Sequence, residues 1–283
     1  MSATPMRGKP LAERIRAEVA EEVKAIGRIG LVTVLVGDDP ASDVYIRLKH
    51  KAATEAGFDA TDLRLPAETT EEALLAKLAE LNTSDDVDAI LVQLPLPDHI
   101  DEARIIRAVA PAKDVDGFHP LNAGELYLGR PAIVSATPRG VMALLAEHRV
   151  ELDGARVVVI GRSAIVGKPV SMLLQQANAT VTVCHSHTAD LARHTLDADV
   201  LVAAVGVPAL VTADMVKQGS VVVDVGMNRT ETGLVGDVDP DAAEVAAFMT
   251  PVPGGVGPMT IACLLENAVQ CARYRRGELA YPG

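Results

Sequence analysis

The chain has 283 residues, of which 49% are hydrophobic and only 2% are aromatic, and its formal net charge is −12. This balance excludes the basic, aromatic-lined grooves that bind nucleic acid, and no apolar run is long enough to span a bilayer. The absence of a signal-peptide core at the N-terminus, with three cysteines that form no C-x-x-C pair, predicts a soluble protein of the reducing cytoplasm.

The first half of the chain alternates amphipathic and apolar segments. Apolar residues at helical spacing predict a helix over residues 11–26, and "IGLVTVLV" (29–36) predicts a buried strand. A second helix is expected from Ser42, as its N-cap, to about Ala56. A strand at "TDLRL", a leucine-rich helix and a strand at "AILVQ" (89–93) follow. This repetition predicts an α/β fold with a mostly parallel sheet and helices on both faces.

The second half begins with an irregular stretch and then repeats the alternation. The segment from Pro95 to Gly129 is rich in Pro, Asp and Gly, and such segments inside compact domains are functional or disordered. "TPRGVMALLAEH" predicts a helix with Thr137 as N-cap and Pro138 in first position. The strand patterns "RVVVI", "ATVTVC", "DVLVAAV" and "SVVVDVG" follow, and a final helix is expected over about 259–276. We place a domain boundary near residue 138.

The segment "VVVIGRSAIVGKPVSMLL" (157–174) has the features of a nucleotide-binding turn. Gly161 directly after the strand supplies a tight bend, and Gly167 and Pro169 introduce a helix whose free N–H groups suit phosphate. The match to the G-x-G-x-x-G fingerprint is partial, because no glycine stands between Gly161 and Gly167. The alternative is an ordinary strand-to-helix connection that needs glycine for its backbone alone.

The end of the next strand indicates which nucleotide would bind. NAD-binding folds place an acidic residue there to accept the ribose 2′-OH, whereas this strand ends in "CHSHT", with His185, Ser186 and His187. Together with Arg162 and Ser163 in the turn, donors without a carboxylate predict NADP. The pattern also contains soft metal ligands, but neighbouring strand residues point to opposite faces and no fourth ligand is in view. We therefore predict no metal.

Three polar residues of the first half follow predicted strands. Tyr45 and Lys49 are four residues apart, so they share one helix face just after the carboxyl end of a strand, where α/β folds place ligand sites. Gln93 ends another strand. Each also has an ordinary interpretation: a solvated lysine, a packing ring and a capping amide.

Two further segments carry residues of interest. "PAKDVDGFHPLNAGEL" places Asp114 and Asp116 before a glycine, where aspartate either forms a turn or serves a site. "TPVPGGVGPMT" (250–260) contains three prolines and three glycines, which predicts a rigid loop whose backbone approaches a flat ligand closely.

Taken together, these segments resemble one family. "GDDPASDVYIRLKHKA", "VQLPLP", "KDVDGFHPLNAGEL", "TPRG", "GRSAIVGKPVSMLL", "CHSHT", "DVGMNR", "GDVD" and "TPVPGGVGPMT" occur in this order over nearly the whole chain. They resemble the methylenetetrahydrofolate dehydrogenase/cyclohydrolase family. The resemblance implies a folate-binding α/β catalytic domain (1–137) and a Rossmann-like, parallel-sheet NADP-binding domain (138–258), with a cleft between them. The final helix (259–283) would return to pack on the first domain.

The resemblance also implies an activity. Members oxidise 5,10-methylenetetrahydrofolate with NADP and hydrolyse the methenyl product to 10-formyltetrahydrofolate, a step of one-carbon metabolism that serves purine biosynthesis. On matching positions, Lys49 is the general acid/base, Gln93 orients it, Tyr45 stacks on the aminobenzoyl ring and Asp116 grips the pterin. Further folate contacts are expected from Pro253, Gly254 and Gly255.

The expected NADP contacts and assembly follow from the same resemblance. A cytoplasmic homodimer is implied, and the NADP contacts fall on Gly161, Arg162, Ser163, Ser186 and the backbone of Met227. Met227 stands where the family more often has Ile, which changes little because contacts there would be mostly backbone and apolar. His187 fills a position that is often basic, which leaves the preference between NADP and NAD slightly open. The alternatives are a dehydrogenase without hydrolysis, an NAD-preferring homologue and a nucleotide-sensing module without catalysis.

Overall fold

The computed structural model describes residues 2–37, 40–231 and 233–282, and for residues 40–45 it describes the backbone alone. The first elements in chain order are β1 (Thr4–Pro5), α1 (Gly8–Ile26), β2 (Gly30–Val36), α2 (Pro40–Glu55), β3 (Asp59–Leu65), α3 (Glu71–Thr83), β4 (Ala89–Val92), α4 (Glu102–Ala108) and α5 (Pro120–Tyr127). They are followed by α6 (Ala136–Glu147), β5 (Arg156–Ile160), α7 (Gly167–Gln176), β6 (Thr180–Cys184), α8 (Leu191–Thr195), β7 (Val200–Ala203), β8 (Val221–Asp224), β9 (Asn228–Thr230), β10 (Gly233–Val235), β11 (Phe248–Met249) and α9 (Val256–Arg275).

The chain divides into two compact units. The three-stranded unit comprises residues 14–135 and 264–283, and the six-stranded unit comprises residues 1–13 and 136–263. The N-terminal residues therefore group with the second half of the chain rather than with residues 14–135. The reason is that β1 pairs in parallel with β11. The chain passes from one unit to the other inside α1, after residue 135 and inside α9.

The three-stranded unit is built on a parallel sheet in the order β3-β2-β4. All seven residues of the central strand β2 are buried, whereas the edge strand β3 alternates between exposed and half-buried residues. Strands covered on both faces are continuous apolar runs, which explains "GLVTVLV" at the centre. The C-terminal part of α9 belongs to this unit, and Asn267 donates hydrogen bonds to the carbonyls of Val115 and Val134, each at 2.8 Å.

The six-stranded unit is a parallel sheet in the order β1-β11-β8-β7-β5-β6, accompanied by an antiparallel hairpin of β9 and β10. β5 lies between β6 and β7, so the strand order reverses at β5. In open α/β sheets, ligands bind beyond the carboxyl ends of the strands at such a reversal. The fold class expected from the sequence, two α/β domains with parallel sheets, is confirmed.

Several predicted boundaries were wrong. α2 begins at Pro40, so Ser42 lies inside the helix rather than at its N-cap, because proline is preorganised for a first helical position. α6 begins at Ala136, and the Thr137 hydroxyl bonds that of Thr260 at 3.0 Å rather than capping the helix. α9 begins at Val256, three residues earlier than expected.

The stretch from 95 to 129, expected to be irregular, contains α4, α5 and a short 3-10 helix. α4 has seven residues and α5 has eight, which is too short for helical periodicity to be visible in sequence. Each begins at a side-chain cap: Asp101 accepts the amides of Ala103 and Arg104, and His119 Nδ1 accepts the amide of Leu121. Across the described residues, none of the helices combines the length and apolarity needed to cross a membrane.

Candidate functional site

Lys49 and Gln93 meet at the carboxyl ends of paired strands in the three-stranded unit. Lys49 lies in α2, which follows β2, and Gln93 comes directly after β4. Lys49 Nζ donates a hydrogen bond to Gln93 Oε1 at 3.1 Å. Gln93 Nε2 donates to the carbonyl of Leu94 at 2.6 Å, which orients the amide with its oxygen toward the lysine. A neutral acceptor therefore holds the amine in place.

The environment of Lys49 favours a neutral amine. The side chain is partly buried, and burial lowers the pKa of Lys49, while the charge of Asp116 opposes this shift. A lysine whose pKa is lowered supplies a fraction of free amine near neutral pH, and that amine can take and return a proton. Lys51, on the same helix, is exposed to solvent and lacks this burial.

Asp116 lies in the same electrostatic environment. Burial raises the pKa of Asp116 to about 6, with the Lys49 charge lowering it and the Asp114 charge raising it. The carboxylate is ionised at neutral pH and becomes protonated in mildly acidic solution. Lys49 and Asp116, with the neutral amide of Gln93 beside the lysine, thus form one cluster in which the two charged groups respond to burial and to each other.

Asp114, two residues earlier, has a different environment. Its buried carboxylate accepts the His119 amide at 2.7 Å and Asn122 Nδ2 at 3.0 Å, and its backbone carbonyl accepts the Gly117 amide at 3.2 Å. Burial raises the pKa of Asp114 although these donors lower it. Asp114 therefore builds the turn that carries Asp116. Gly117 has a φ of 69°, and a Cβ there would lie 2.8 Å from the carbonyl oxygen of Ile133, so the turn requires glycine.

Tyr45 lies one helical turn before Lys49 in α2. Its side chain is outside the described residues, so the predicted stacking ring stays a prediction.

The backbone is closely packed in the turn after β5. Gly161 has a φ of 117°, and a Cβ there would lie 2.2 Å from the carbonyl oxygen of Ala204. A Cβ at Gly167 would lie 2.2 Å from the carbonyl oxygen of Gly161. Ser163 Oγ accepts the amides of Val166 and Gly167 at 3.1 and 3.3 Å, so this serine caps the start of α7. The close packing at the two glycines and the helix cap supplied by the serine explain why the spacing of this motif is longer than that of G-x-G-x-x-G.

A groove of about 540 Å³ opens beyond the carboxyl ends of β5, β6 and β7. It lies at the strand reversal, where α/β folds bind ligands. Arg162 and Ser186 are exposed at this groove, and its described lining holds no carboxylate. The residues that line it are Ile160, Gly161, Arg162, Ser163, His185, Ser186, Thr188, Leu191, Ala204, Val205, Val207 and Leu210. Four of the five predicted cofactor contacts are therefore together here.

The "CHSHT" segment is held by its own side chains. Thr188 Oγ1 accepts the amide of His185 at 2.9 Å, and His185 Nδ1 accepts the amide of His187 at 3.2 Å. Cys184 is buried, and burial raises the pKa of its thiol. Within the described part of the chain, no three His, Cys, Asp or Glu side chains are placed to hold a metal ion.

Met227 and the loop Pro253–Gly255 lie elsewhere in the six-stranded unit. Met227 follows β8, does not line the groove described above and is 40% exposed. Pro253 is exposed, Gly254 has a φ of 106°, and Gly255 donates its amide to the carbonyl of Pro251 at 2.8 Å. Lys49, Gln93 and Asp116 belong to the other unit.

Two buried aspartates of the six-stranded unit escaped sequence analysis. Asp237 Oδ2 accepts the amides of Val205 and Gly206 at 2.7 and 2.9 Å, and its Oδ1 accepts Asn228 Nδ2 at 2.9 Å. The Asp224 carboxylate accepts backbone amides at 2.9, 2.9 and 3.0 Å, from Gly226, Asp237 and Val238. Because Val205 lines the groove, Asp237 supports one of its walls. "DVG" and "GDVD" contain both residues, but nothing in those letters distinguishes a buried carboxylate from an exposed turn.

Comparison with known proteins gives a consistent result over the whole chain. Residues 6–116 match the model of the tetrahydrofolate dehydrogenase/cyclohydrolase catalytic domain, and residues 135–276 match that of the NAD(P)-binding domain of the same family. The bifunctional protein FolD 2 of Geobacter sulfurreducens is 53% identical, covering 96% of this chain and 97% of its own length.

Solved structures agree with these matches. The bifunctional FolD methylenetetrahydrofolate dehydrogenase/cyclohydrolase of Campylobacter jejuni has a TM-score of 0.95 and 46% identity, covering 97% of this chain and 100% of its own. The Trypanosoma brucei enzyme, solved with NADP cofactor and inhibitor, has a TM-score of 0.92 and 41% identity, covering 99% and 100%. The chain therefore belongs to the tetrahydrofolate dehydrogenase/cyclohydrolase family.

Proposed function

We propose that this protein oxidises 5,10-methylenetetrahydrofolate to 5,10-methenyltetrahydrofolate with NADP, and then hydrolyses that product to 10-formyltetrahydrofolate. The observation that carries the proposal is the contact of Lys49 with Gln93 beside Asp116, at the strand ends of the three-stranded unit. A dehydrogenase alone needs no proton carrier in the hydride step, whereas hydrolysis does. A lysine with a lowered pKa therefore favours the bifunctional enzyme over a dehydrogenase without hydrolysis.

Lys49 is the proton carrier in this proposal. Its neutral amine takes a proton from a water molecule as the water oxygen bonds to the methenyl carbon. The resulting ammonium returns a proton to N5 as the carbon–N5 bond breaks, and the hydroxyl proton leaves to solvent. The net products are 10-formyltetrahydrofolate and one proton. Gln93 keeps the amine at one position through both transfers, because its own amide is oriented by Leu94.

The folate would be held chiefly by side chains of the three-stranded unit. The ionised Asp116 accepts adjacent N–H donors of the pterin edge, an arrangement that favours charge-assisted bonds. Tyr45, on the helix face of Lys49, stacks on the aminobenzoyl ring. The rigid backbone of Pro253–Gly255 supplies further folate contacts.

The NADP-binding residues lie in the six-stranded unit. The groove fits a dinucleotide because Gly161 and Gly167 allow the tight turn that brings backbone to its edge, and because Arg162 and Ser186 offer donors with no lining carboxylate. NADP, when bound, supplies the hydride acceptor of the oxidation. Arg162 and Ser186 hold the 2′-phosphate, while Ser163 fixes the helix start and the Met227 backbone adds a contact.

We extend the proposal to domain roles and assembly. The three-stranded unit forms most of the folate-binding catalytic domain, and the six-stranded unit forms most of the NADP-binding domain. The protein acts as a homodimer in the cytoplasm, in the one-carbon supply of purine biosynthesis. Cys184, Cys263 and Cys271 are buried thiols, which suits a reducing compartment. Light scattering of the purified protein tests the dimer.

An absorbance assay with 5,10-methylenetetrahydrofolate and each cofactor in turn tests the activity. We expect the methenyl product to appear with NADP and then to decay to the formyl compound. A methenyl product that persists identifies a dehydrogenase without hydrolysis, and faster formation with NAD identifies an NAD-preferring enzyme. Absence of the product with both cofactors overturns the enzyme in favour of a nucleotide-sensing module.

A further inference from the structure

A chain of hydrogen bonds runs from Tyr281 to the turn that carries Asp116. The Tyr281 hydroxyl donates to Asn122 Oδ1 at 2.8 Å. Asn122 Nδ2 in turn donates to Asp114 Oδ2 and to the carbonyl of Pro111, each at 3.0 Å. All of these residues belong to the three-stranded unit. A residue far along the sequence thus reaches the turn through two side chains.

The last member of this chain fixes the turn on both sides of Asp116. The Asp114 carboxylate accepts the amide of His119 at 2.7 Å, and the Asp114 backbone carbonyl accepts the amide of Gly117 at 3.2 Å. Any displacement of Asp114 therefore displaces the turn from which the Asp116 side chain projects. Asp116 is the proposed acceptor of the pterin donors, so its position matters to folate binding.

The Tyr281 hydroxyl completes the hydrogen bonds of the Asn122 amide. Asn122 is fully buried, and both of its amide ends have partners: Nδ2 with Asp114 and Pro111, and Oδ1 with Tyr281. An asparagine amide can turn over with little change of shape, and its partners determine the orientation. Without the hydroxyl donor, Oδ1 is left buried and unpaired, and the Asn122 side chain that serves Asp114 is held from its Nδ2 end alone.

The hydroxyl keeps its proton and can therefore donate to Asn122. Burial and nearby acidic groups, including Asp114, raise the pKa of Tyr281 to about 12, so the proton stays on the oxygen. The ring is held edge-on against Tyr274, with centroids 5.3 Å apart. The hydrogen bond from Tyr281 to Asn122 is therefore a fixed part of the fold.

We propose that Tyr281 is a positioning residue for folate, which acts through Asn122 and Asp114 to place the Asp116 carboxylate. The proposal rests on the proposed folate-binding role of Asp116. It assigns to Tyr281 an effect on the folate substrate that is separate from NADP and from overall stability.

Tyr281→Phe tests this proposal in the full-length enzyme, and Tyr274→Phe is the matched control. Both changes remove one hydroxyl from the same edge-on ring pair. The Tyr274 hydroxyl accepts from Gln270 Nε2 at 2.9 Å, and Gln270 keeps a second acceptor, the Ala132 carbonyl, at 2.9 Å. The measurements are KM for methylenetetrahydrofolate, KM for NADP, kcat and the melting temperature.

We expect Tyr281→Phe to raise the folate KM about three- to tenfold, the equivalent of one hydrogen bond. KM for NADP and kcat should stay within about twofold of the wild type, and Tyr274→Phe should change none of these values. Asp116→Ala alone should raise the folate KM further. In the Asp116→Ala background, Tyr281→Phe should add nothing to the folate KM, because a residue that acts through Asp116 loses its effect when Asp116 is absent.

Three results would overturn the proposal. The folate KM of Tyr281→Phe could equal that of Tyr274→Phe, the folate and NADP values could rise together, or the two substitutions could multiply in the double variant. A joint rise of both values identifies a general loss of structure, which the melting temperatures would register, whereas multiplying effects identify a role of Tyr281 that is independent of Asp116. If Asp116→Ala leaves the folate KM unchanged, the role of Asp116 itself is wrong, and that failure is distinct from the other three.

Discussion

One aspartate in each unit, Asp116 and Asp224, has its pKa raised to about 6 by burial, but the two carboxylates have different surroundings. In the three-stranded unit, the pKa values of Lys49 and Asp116 are shifted by burial and by each other's charge. In the six-stranded unit, three backbone amides donate to the Asp224 carboxylate. Similar burial therefore accompanies two arrangements: one carboxylate is coupled to the charge of a lysine, and the other braces the backbone.

We therefore expect side-chain substitutions to abolish the activity of the three-stranded unit, and backbone changes to abolish cofactor binding by the six-stranded unit. The largest effect is expected for Lys49→Met, which keeps the length of the side chain but removes the proton carrier. Hydrolysis of the methenyl compound should fall by roughly 10²–10⁴-fold. Lys51→Met, an exposed change on the same helix, is the control. Normal cyclohydrolase activity in folded Lys49→Met would falsify the proposed role.

Gly161→Ala tests the second unit through its backbone. The added Cβ would lie 2.2 Å from the Ala204 carbonyl oxygen at a φ of 117°, so the groove wall must move. A shift of about 1 Å should lower kcat/KM for NADP by roughly a hundredfold. Gly154→Ala, also at positive φ but with open space around it, is the control for backbone strain alone. Equal losses in both variants would remove close packing as the cause.

Ser186→Asp asks whether side chains contribute to cofactor choice. A carboxylate at this position would repel the 2′-phosphate and offer the NAD ribose an acceptor. The loss of NADP transition-state binding should be about 1–3 kcal/mol, measured as kcat/KM for both cofactors. Ser186→Asn, which is similar in size but uncharged, separates charge from shape. An unchanged kcat/KM for NADP would contradict the placement of the 2′-phosphate.

The smallest effect concerns pH. Because the pKa of Asp116 is raised to about 6, its carboxylate is ionised above that pH and neutral below it. The pterin acceptor is therefore lost as pH falls, and folate KM should rise about tenfold from pH 7 to pH 5. Asp116→Asn should show a flatter folate profile, which separates this titration from that of the substrate. Parallel folate profiles in the two proteins would exclude Asp116 as the titrating group.

The sequence predicted the elements and the local motifs better than the partnerships among distant residues. Periodicity located the buried strands, because they are apolar along their whole length, and the glycine spacing located the turn at Gly161. Periodicity could not reveal the seven- and eight-residue helices of the stretch from 95 to 129. Nor could it distinguish Asp114 from Asp116, since the two aspartates look alike in the sequence. The structure distinguishes them, because Asn122 and the His119 amide donate to Asp114.

Contacts between residues that are far apart in the sequence were the hardest to predict from it. Asn267 bonds the carbonyl of Val115, and Tyr281 bonds Asn122, across separations of 152 and 159 residues. Such contacts depend on the return of the chain to an earlier unit. No local pattern of letters encodes that return.

The interleaved path of the chain has a consequence for synthesis on the ribosome. β1, at residues 4 and 5, must wait for β11 at residues 248 and 249, and the three-stranded unit needs residues from 264 onward. Domains that are continuous in sequence can fold one after another as they emerge. Here neither unit is complete until almost the entire chain has been translated, so both must mature late, and each nascent half stays exposed to chaperones for most of the elongation time.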